Sequence, residues 1–218
     1  MHLPCPSPGA VGATLDGGDK WVEVVRRQHD PELVVFANLL SASECDALIE
    51  AARPRLSRSL TVDTHTGDEA LHPNRSSQGM FFERFENDVV FRIEKRIAKL
   101  LHWPVKHAEG LQVLCYQKDE QYQPHYDYFD PQQSGTPALL TRGGQRVATL
   151  IMYLAEPEAG GATVFPDLGL QVAPKRGQAV FFSYAEPLPS SLTLHGGAPV
   201  TLGEKWIATK WLRQHAFA

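Results

Sequence analysis

From about residue 110 the chain changes its period. "LQVLCYQ", "RVATLIMYLA", "ATVFP", "LQVAP", "QAVFFSY", "APVTL" and "KWIATKWLRQ" are short runs rich in β-branched and aromatic residues, cut apart by "EAGGA", "PKRG" and "TLGE". Such side chains fit the pleated surface of a strand, and the Gly/Pro signals turn the chain between them. Many short strands at this density imply an all-β sandwich or barrel.

Before that point the pattern is mixed. "ELVVFANLL" reads as a strand running into a turn. "SASECDALIEAAR" opens with Ser41-x-x-Glu44, a capping box, and predicts a helix from about Ser41 to Arg53. In "ENDVVFRIEKRIAKLLHW" the residues Val89, Val90, Ile93, Ile97, Leu100 and Leu101 recur at helical spacing opposite a charged face, so a second helix packs on a sheet. Residues 1–19 are rich in Pro and Gly without hydrophobic periodicity and read as a flexible tail. The expected organisation is α+β: one domain over 20–218, with helical support over about 20–109 and a double-sheet core over about 110–215.

Charge and cysteines narrow the partners. A formal net charge of -4 with no Lys/Arg run gives no basic field, which argues against nucleic acid and anionic membrane. No stretch is long and apolar enough to span a bilayer, and no signal peptide is readable. Cys5, Cys45 and Cys115 are odd in number and lack a CxxC pattern, so a reducing, cytoplasmic setting is expected. Cys115, inside a strand, reads as a small buried hydrophobe.

The chemistry is concentrated in "QYQPHYDYF", where His125 and Asp127 stand two positions apart. So short a pattern recurs by chance, and alone this pair does not decide between a metal site and a polar turn after a strand. Most of the nine histidines, such as His29, His65, His72, His102, His107 and His215, read as surface or loop residues. Two histidines and one carboxylate on one octahedral face leave positions open for a co-substrate and dioxygen, and His195 in "SLTLHGGAPVTLGEKW" supplies a later-strand donor. Ten residues on comes Lys205. Strand alternation places Lys205, Ile207, Thr209 and Trp211 on one face, and Trp206, Ala208 and Lys210 on the other. A buried diacid needs such a cation, because an unpaired charge inside a barrel is costly.

At this point the chain resembles the 2-oxoglutarate- and Fe(II)-dependent prolyl 4-hydroxylases of the collagen-type and bacterial branch. The resemblance rests on "LQVLCYQKDEQYQPHYDYF", "GGQRVATLIMYLAEPEAGGATVFP", "PKRGQAVFF" and "LHGGAPVTLGEKWIATKWL", with a weaker match in "NRSSQGMFF". It implies a double-stranded β-helix (jelly-roll, cupin-like) barrel flanked by N-terminal supporting helices. It implies His125, Asp127 and His195 as Fe(II) ligands and Lys205 as the partner of the distal carboxylate of 2-oxoglutarate. Tyr116 and Thr163 match co-substrate-binding positions, and Tyr122, Arg146 and Trp211 match positions near a substrate proline. The implied reaction is 4-hydroxylation of prolyl residues in a peptide or protein, coupled to O2 consumption and conversion of 2-oxoglutarate to succinate and CO2. L-Ascorbate as reductant and a homodimer belong to the same expectation.

Plainer readings stand beside these. Tyr116 and Tyr122 also read as cross-strand packing, Thr163 as a strand former, Trp211 as core and Arg146 as a solvated strand-end charge. A related oxygenase acting on another side chain or a small molecule, and a non-catalytic metal-binding jelly roll, are the rival functions. The Gly/Pro-containing stretch Asp130 to Gly144, directly after the metal pair, reads as a mobile loop and candidate lid.

Overall fold

A computed structural model describes residues 3–59, 61–62, 69–70 and 76–217. His65, His72 and the first two residues of "NRSSQGMFF" lie outside them. Three α-helices are present among the described residues: α1 (Ala42–Ala52), α2 (Asp88–Leu100) and the short α3 (Thr136–Leu140). The first strands are β1 (Thr14–Asp16), β2 (Trp21–His29), β3 (Glu32–Ala37), β4 (Ser57–Arg58), β5 (Thr61–Val62), β6 (Glu69–Ala70) and β7 (Gln78–Phe82). Then come β8 (Leu111–Tyr116), β9 (Tyr122–His125), β10 (Arg146–Ala155), β11 (Ala159–Gly160), β12 (Thr163–Phe165) and β13 (Leu170–Val172). The last are β14 (Ala179–Ser183), β15 (His195–Gly197), β16 (Val200–Leu202) and β17 (Lys205–Arg213).

Local chemistry starts both long helices. Ser41 Oγ accepts from Glu44 N at 3.2 Å while Ser41 N donates to Glu44 Oε2 at 2.8 Å, so the capping box forms as expected. Asn87 Oδ1 accepts from Val90 N at 2.9 Å and starts α2. The buried face of α2, Val90, Ile93, Ile97 and Leu100, lies against the sheet.

Nine strands form one sheet in the order β1-β2-β3-β14-β10-β17-β8-β7-β4, and four form a second in the order β13-β12-β15-β9. The apolar core is split accordingly. Leu48, Ile93, Ile97, Trp206 and Ala208 fill the space between helices and large sheet. Leu114, Ile151, Tyr153, Phe165, Val172 and Ile207 fill the space between the sheets. The alternation expected along β17 therefore holds: Trp206 and Ala208 face the helices, and Ile207 faces the second sheet. Lys210 also points to the helices and pairs with buried Glu94 of α2, because a charge on that face needs a partner.

The two facing sheets are those expected of a jelly roll, with the large one ending at β1 and β4 and not closed into a barrel. Three expectations need correction. The part before residue 109 is not mainly helical support, since β1, β2, β3, β4 and β7 all belong to the large sheet. Residues 3–19 are not a free tail: β1 pairs with β2, Leu15 is buried, and Asp19 Oδ2 accepts from Arg96 Nη2 at 2.6 Å. A three-residue strand and one ion pair leave too little periodicity to read. Finally, the stretch from Asp130 to Gly144 contains α3 and is bonded to its surroundings, as described below. No helix among the described residues is long and apolar enough to cross a membrane.

Candidate active site

β9 and β15 pair antiparallel with His125 opposite His195, which brings the two imidazole rings to 4.5 Å. Asp127, two residues past the end of β9, reaches back to both. His125 Nε2 is 3.5 Å from its Oδ1 and His195 Nε2 is 3.5 Å from its Oδ2. The three donor atoms lie within 4.8 Å of one another. Each ring is oriented from behind. His125 Nδ1 lies 2.9 Å from Gln123 O and His195 Nδ1 lies 3.0 Å from Thr193 O. A carbonyl only accepts, so each Nδ1 carries the proton and each Nε2 keeps its lone pair.

The charges suit a metal. Burial, against a weaker pull from Asp127, lowers the His195 pKa to about 4, so that ring is neutral at physiological pH. Burial opposes ionisation of Asp127, but His195, His125 and Arg146 beside it outweigh this and hold the carboxyl well below its usual range. Two imidazoles and one carboxylate on one side of a point fit a non-haem Fe(II) site with open positions.

Behind Asp127 stands a support. Thr149 Oγ1 donates to Asp127 Oδ2 at 2.7 Å, and Tyr184 Oη lies 3.2 Å from the same hydroxyl. With the Thr149 proton committed to the carboxylate, Tyr184 donates to Thr149. Outer partners of a ligating carboxylate typically affect metal affinity by 10- to 100-fold, so Thr149→Val is expected to weaken Fe(II) binding by about that factor. Anaerobic titration calorimetry checks it; affinity unchanged from wild type would remove Thr149 from this role.

A narrow inner chamber lies beyond the triad, lined by Tyr116, Thr163, Lys205 and Ile207 among others. Lys205 is buried, and its Nζ donates to Gly161 O at 2.8 Å and sits 4.7 Å over the Tyr116 ring. Among the described residues no carboxylate pairs with it. Burial lowers its pKa to about 8. A buried ammonium with only a carbonyl and a ring for company is suited to an incoming anion. Gly161 has φ +71°, and a Cβ there would come within 3.1 Å of Lys205 Cδ, so the glycine allows the close approach. Thr163 Oγ1 accepts from Tyr153 Oη at 2.8 Å, which leaves its own proton for the chamber.

Outside the triad a groove of about 700 Å³ opens to solvent. Tyr122, Arg146 and Trp211 all line it. Tyr122 stacks on His125 with centroids 3.7 Å apart, and the Arg146 guanidinium lies 4.0 Å over the Trp211 ring. Arg146 also binds Glu109 at 2.7 and 2.8 Å and reaches Asp127 O at 3.3 Å, so it is no solvated strand end. Cys115 is buried, with its pKa raised to about 12 chiefly by burial, which makes it inert as expected.

A His-Asp-His cluster between two facing sheets, with a buried lysine beyond it, defines an Fe(II)- and 2-oxoglutarate-dependent oxygenase. Residues 111–213 match the 2OG-Fe(II) oxygenase superfamily. Prolyl 4-hydroxylase 5 of Arabidopsis thaliana is 40% identical over 232 residues, covering 97% of this chain and 77% of that protein. The viral collagen prolyl hydroxylase of Paramecium Bursaria Chlorella virus-1, solved with 2-oxoglutarate, is 33% identical with TM-score 0.64, covering 83% of this chain and 95% of that one. A Pseudomonas putida prolyl-4-hydroxylase, 19% identical with TM-score 0.54 over 84% of this chain and 92% of that one, shares the fold. The chain belongs to the prolyl 4-hydroxylase family, and it is a dioxygenase that uses Fe(II) and 2-oxoglutarate.

All nine residues singled out in the sequence thus line the chamber or the groove. Thr149, Tyr153, Tyr184, Glu109 and Arg213 were missed. Alternation along "RVATLIMYLA" puts Thr149 and Tyr153 on the inward face with Ile151, and alternation along β17 puts Arg213 with Lys205 and Trp211; those signals were available. Tyr184 ends the run "QAVFFSY", where alternation puts it with Val180 and Phe182, whereas Glu109 stands outside any strand and carried no signal.

Proposed function

We propose that the protein 4-hydroxylates prolyl residues of an extended peptide lying in the outer groove, with His125, Asp127 and His195 holding Fe(II) and Lys205 taking the distal carboxylate of 2-oxoglutarate. The observation that carries this is the groove itself, which is open at the surface and reaches His125 and Asp127 of the triad, with His195 in the chamber behind them. Bound there, the metal and its co-substrate would supply the oxidation. Every other task falls to the chain. Thr149 holds one carboxylate oxygen of Asp127 in place, and the Thr193 and Gln123 carbonyls fix the ring tautomers. Tyr116 and Thr163 complete the polar wall around the co-substrate, and Leu114, Ile151 and Ile207 keep water from it. A proline-rich peptide favours polyproline II geometry, whose pyrrolidine faces suit the aromatic walls Tyr122 and Trp211. Arg146, fixed by Glu109, sits where it can donate to a peptide carbonyl.

Ascorbate, as the reductant that returns oxidised iron to the ferrous state, and a reducing, cytoplasmic setting are part of the same reading.

The test is mass spectrometry of proline peptides after incubation with Fe(II), 2-oxoglutarate and O2. One added oxygen per succinate formed is expected. Tyr122→Ala and Trp211→Ala are expected to raise the peptide KM by about tenfold or more, with a much smaller change in the 2-oxoglutarate KM. Equal rises in both would remove the peptide from the groove.

A further inference from the structure

β10 and β17 place Arg146 directly opposite Arg213. Two guanidiniums face each other in the interior, and one carboxylate, Glu109, lies between them. It takes Arg146 through both oxygens, while Arg213 Nη1 reaches Oε1 at 3.0 Å. Glu109 Oε1 is thus shared by both guanidiniums, and Arg213 Nη2 finds no carboxylate partner among the described residues. Arg213 is 2% exposed, so water does not satisfy it. Its Nη2 instead donates to the carbonyls of Leu139, at 2.8 Å, and Arg142. These carbonyls belong to the last residues of α3 and the turn after it, the same segment that forms the outer wall of the groove through Thr136, Ala138, Leu139, Thr141 and Arg142. The base of that segment is closed independently. Gln145 Oε1 accepts from Phe129 N at 2.8 Å, and its Nε2 donates to Phe129 O at 2.7 Å.

We propose that Arg213 is a positioning residue for the peptide: by holding the Leu139 and Arg142 carbonyls it fixes the outer wall of the groove and so sets peptide affinity. The proposal rests on the groove being the peptide site. Moving the wall outward would strip a buried cation of two acceptors, and a hydrogen bond to a charged group is among the stronger ones in a protein. The wall is therefore held by the two hydrogen bonds from Arg213 Nη2. Arg213 makes no contact with the co-substrate chamber, which predicts a split between the two substrates.

Arg213→Met removes the charge and both donors, yet leaves Glu109 bound through both oxygens to Arg146. Arg213→Lys keeps the charge and serves where the methionine variant fails to fold. Hydrogen exchange on the full chain reads the wall directly. The Thr141 and Gly144 amides, which donate to Ala138 O and Leu140 O, are expected to exchange about tenfold faster or more in either variant, while β10 amides are unchanged. Peptide KM is expected to rise by about tenfold or more, with the 2-oxoglutarate KM within about twofold of wild type. Wild-type exchange at Thr141 and Gly144 in both variants, or parallel rises in the two KM values, overturns the proposal. If wild type hydroxylates no proline peptide, the proposed function fails, and the exchange still decides whether Arg213 holds the wall.

Discussion

Fe(II) titrated anaerobically into His195→Ala is expected to show no saturable binding under conditions where wild type saturates, and turnover of 2-oxoglutarate is expected to vanish with it. Removing an outer partner of a ligand already costs about 10- to 100-fold in affinity, so removing a ligand costs more than about 100-fold. The fold should tolerate the change. His195 is neutral in its pocket and its Nδ1 bonds only the Thr193 carbonyl two residues away, while Asp127, which loses one neighbour, keeps Thr149, His125 and Arg146 beside it. The ring does fill space against Phe182 at 4.7 Å and Phe165 at 5.9 Å, so a drop in Tm of several degrees is expected from the cavity. Loss of iron in a protein that still unfolds cooperatively is the expected result. Saturable Fe(II) binding within about tenfold of wild type would remove His195 from the metal site.

The sequence made this site legible through one strand and one donor set. Lys205 and Trp211 belong to a run whose alternation fixes which way the side chains point, and His125, Asp127 and His195 stand out as a two-histidine, one-carboxylate set at the spacings of the family the chain resembles. What it did not reveal is how the parts are held. Glu109 lies in "HAEGL", between a turn and β8, where no period exists, and its role appears only once β10 and β17 set Arg146 against Arg213. The same holds for the segment after Asp127. Its Gly and Pro residues signal a loop, but the bonds that pin it come from Arg213, about 70 residues downstream, and long-range contacts of this kind leave no local trace. The β1 strand was hidden for a different reason. Three residues are too few to show alternation, and the pairing with β2 is made by backbone groups that any residue carries.

Lys205→Met is expected to weaken 2-oxoglutarate binding by about 100-fold or more while leaving Fe(II) affinity near wild type. Removing one partner of a buried charge pair costs about 3 to 5 kcal/mol, and each 1.4 kcal/mol is a factor of ten. The pH dependence follows from the same burial. With its pKa lowered to about 8, Lys205 is an ammonium below that pH and loses its charge above it, so co-substrate affinity is full at lower pH and falls as the pH rises through about 8. Lys205→Arg, whose guanidinium stays charged over this range, should flatten the profile. Stability moves the other way. A lysine whose folded pKa lies below its unfolded value near 10.5 costs the co-substrate-free fold about 3 kcal/mol at pH values below about 8, a cost that disappears as pH rises to the unfolded value. Lys205→Met should therefore melt higher than wild type when both are free of 2-oxoglutarate, and gain less when it is added. A variant that is more heat-stable and blind to 2-oxoglutarate marks Lys205 as a charge kept for its ligand. A variant that is less stable, with binding within about twofold of wild type, would make Lys205 a structural charge satisfied by the Gly161 carbonyl and the Tyr116 ring.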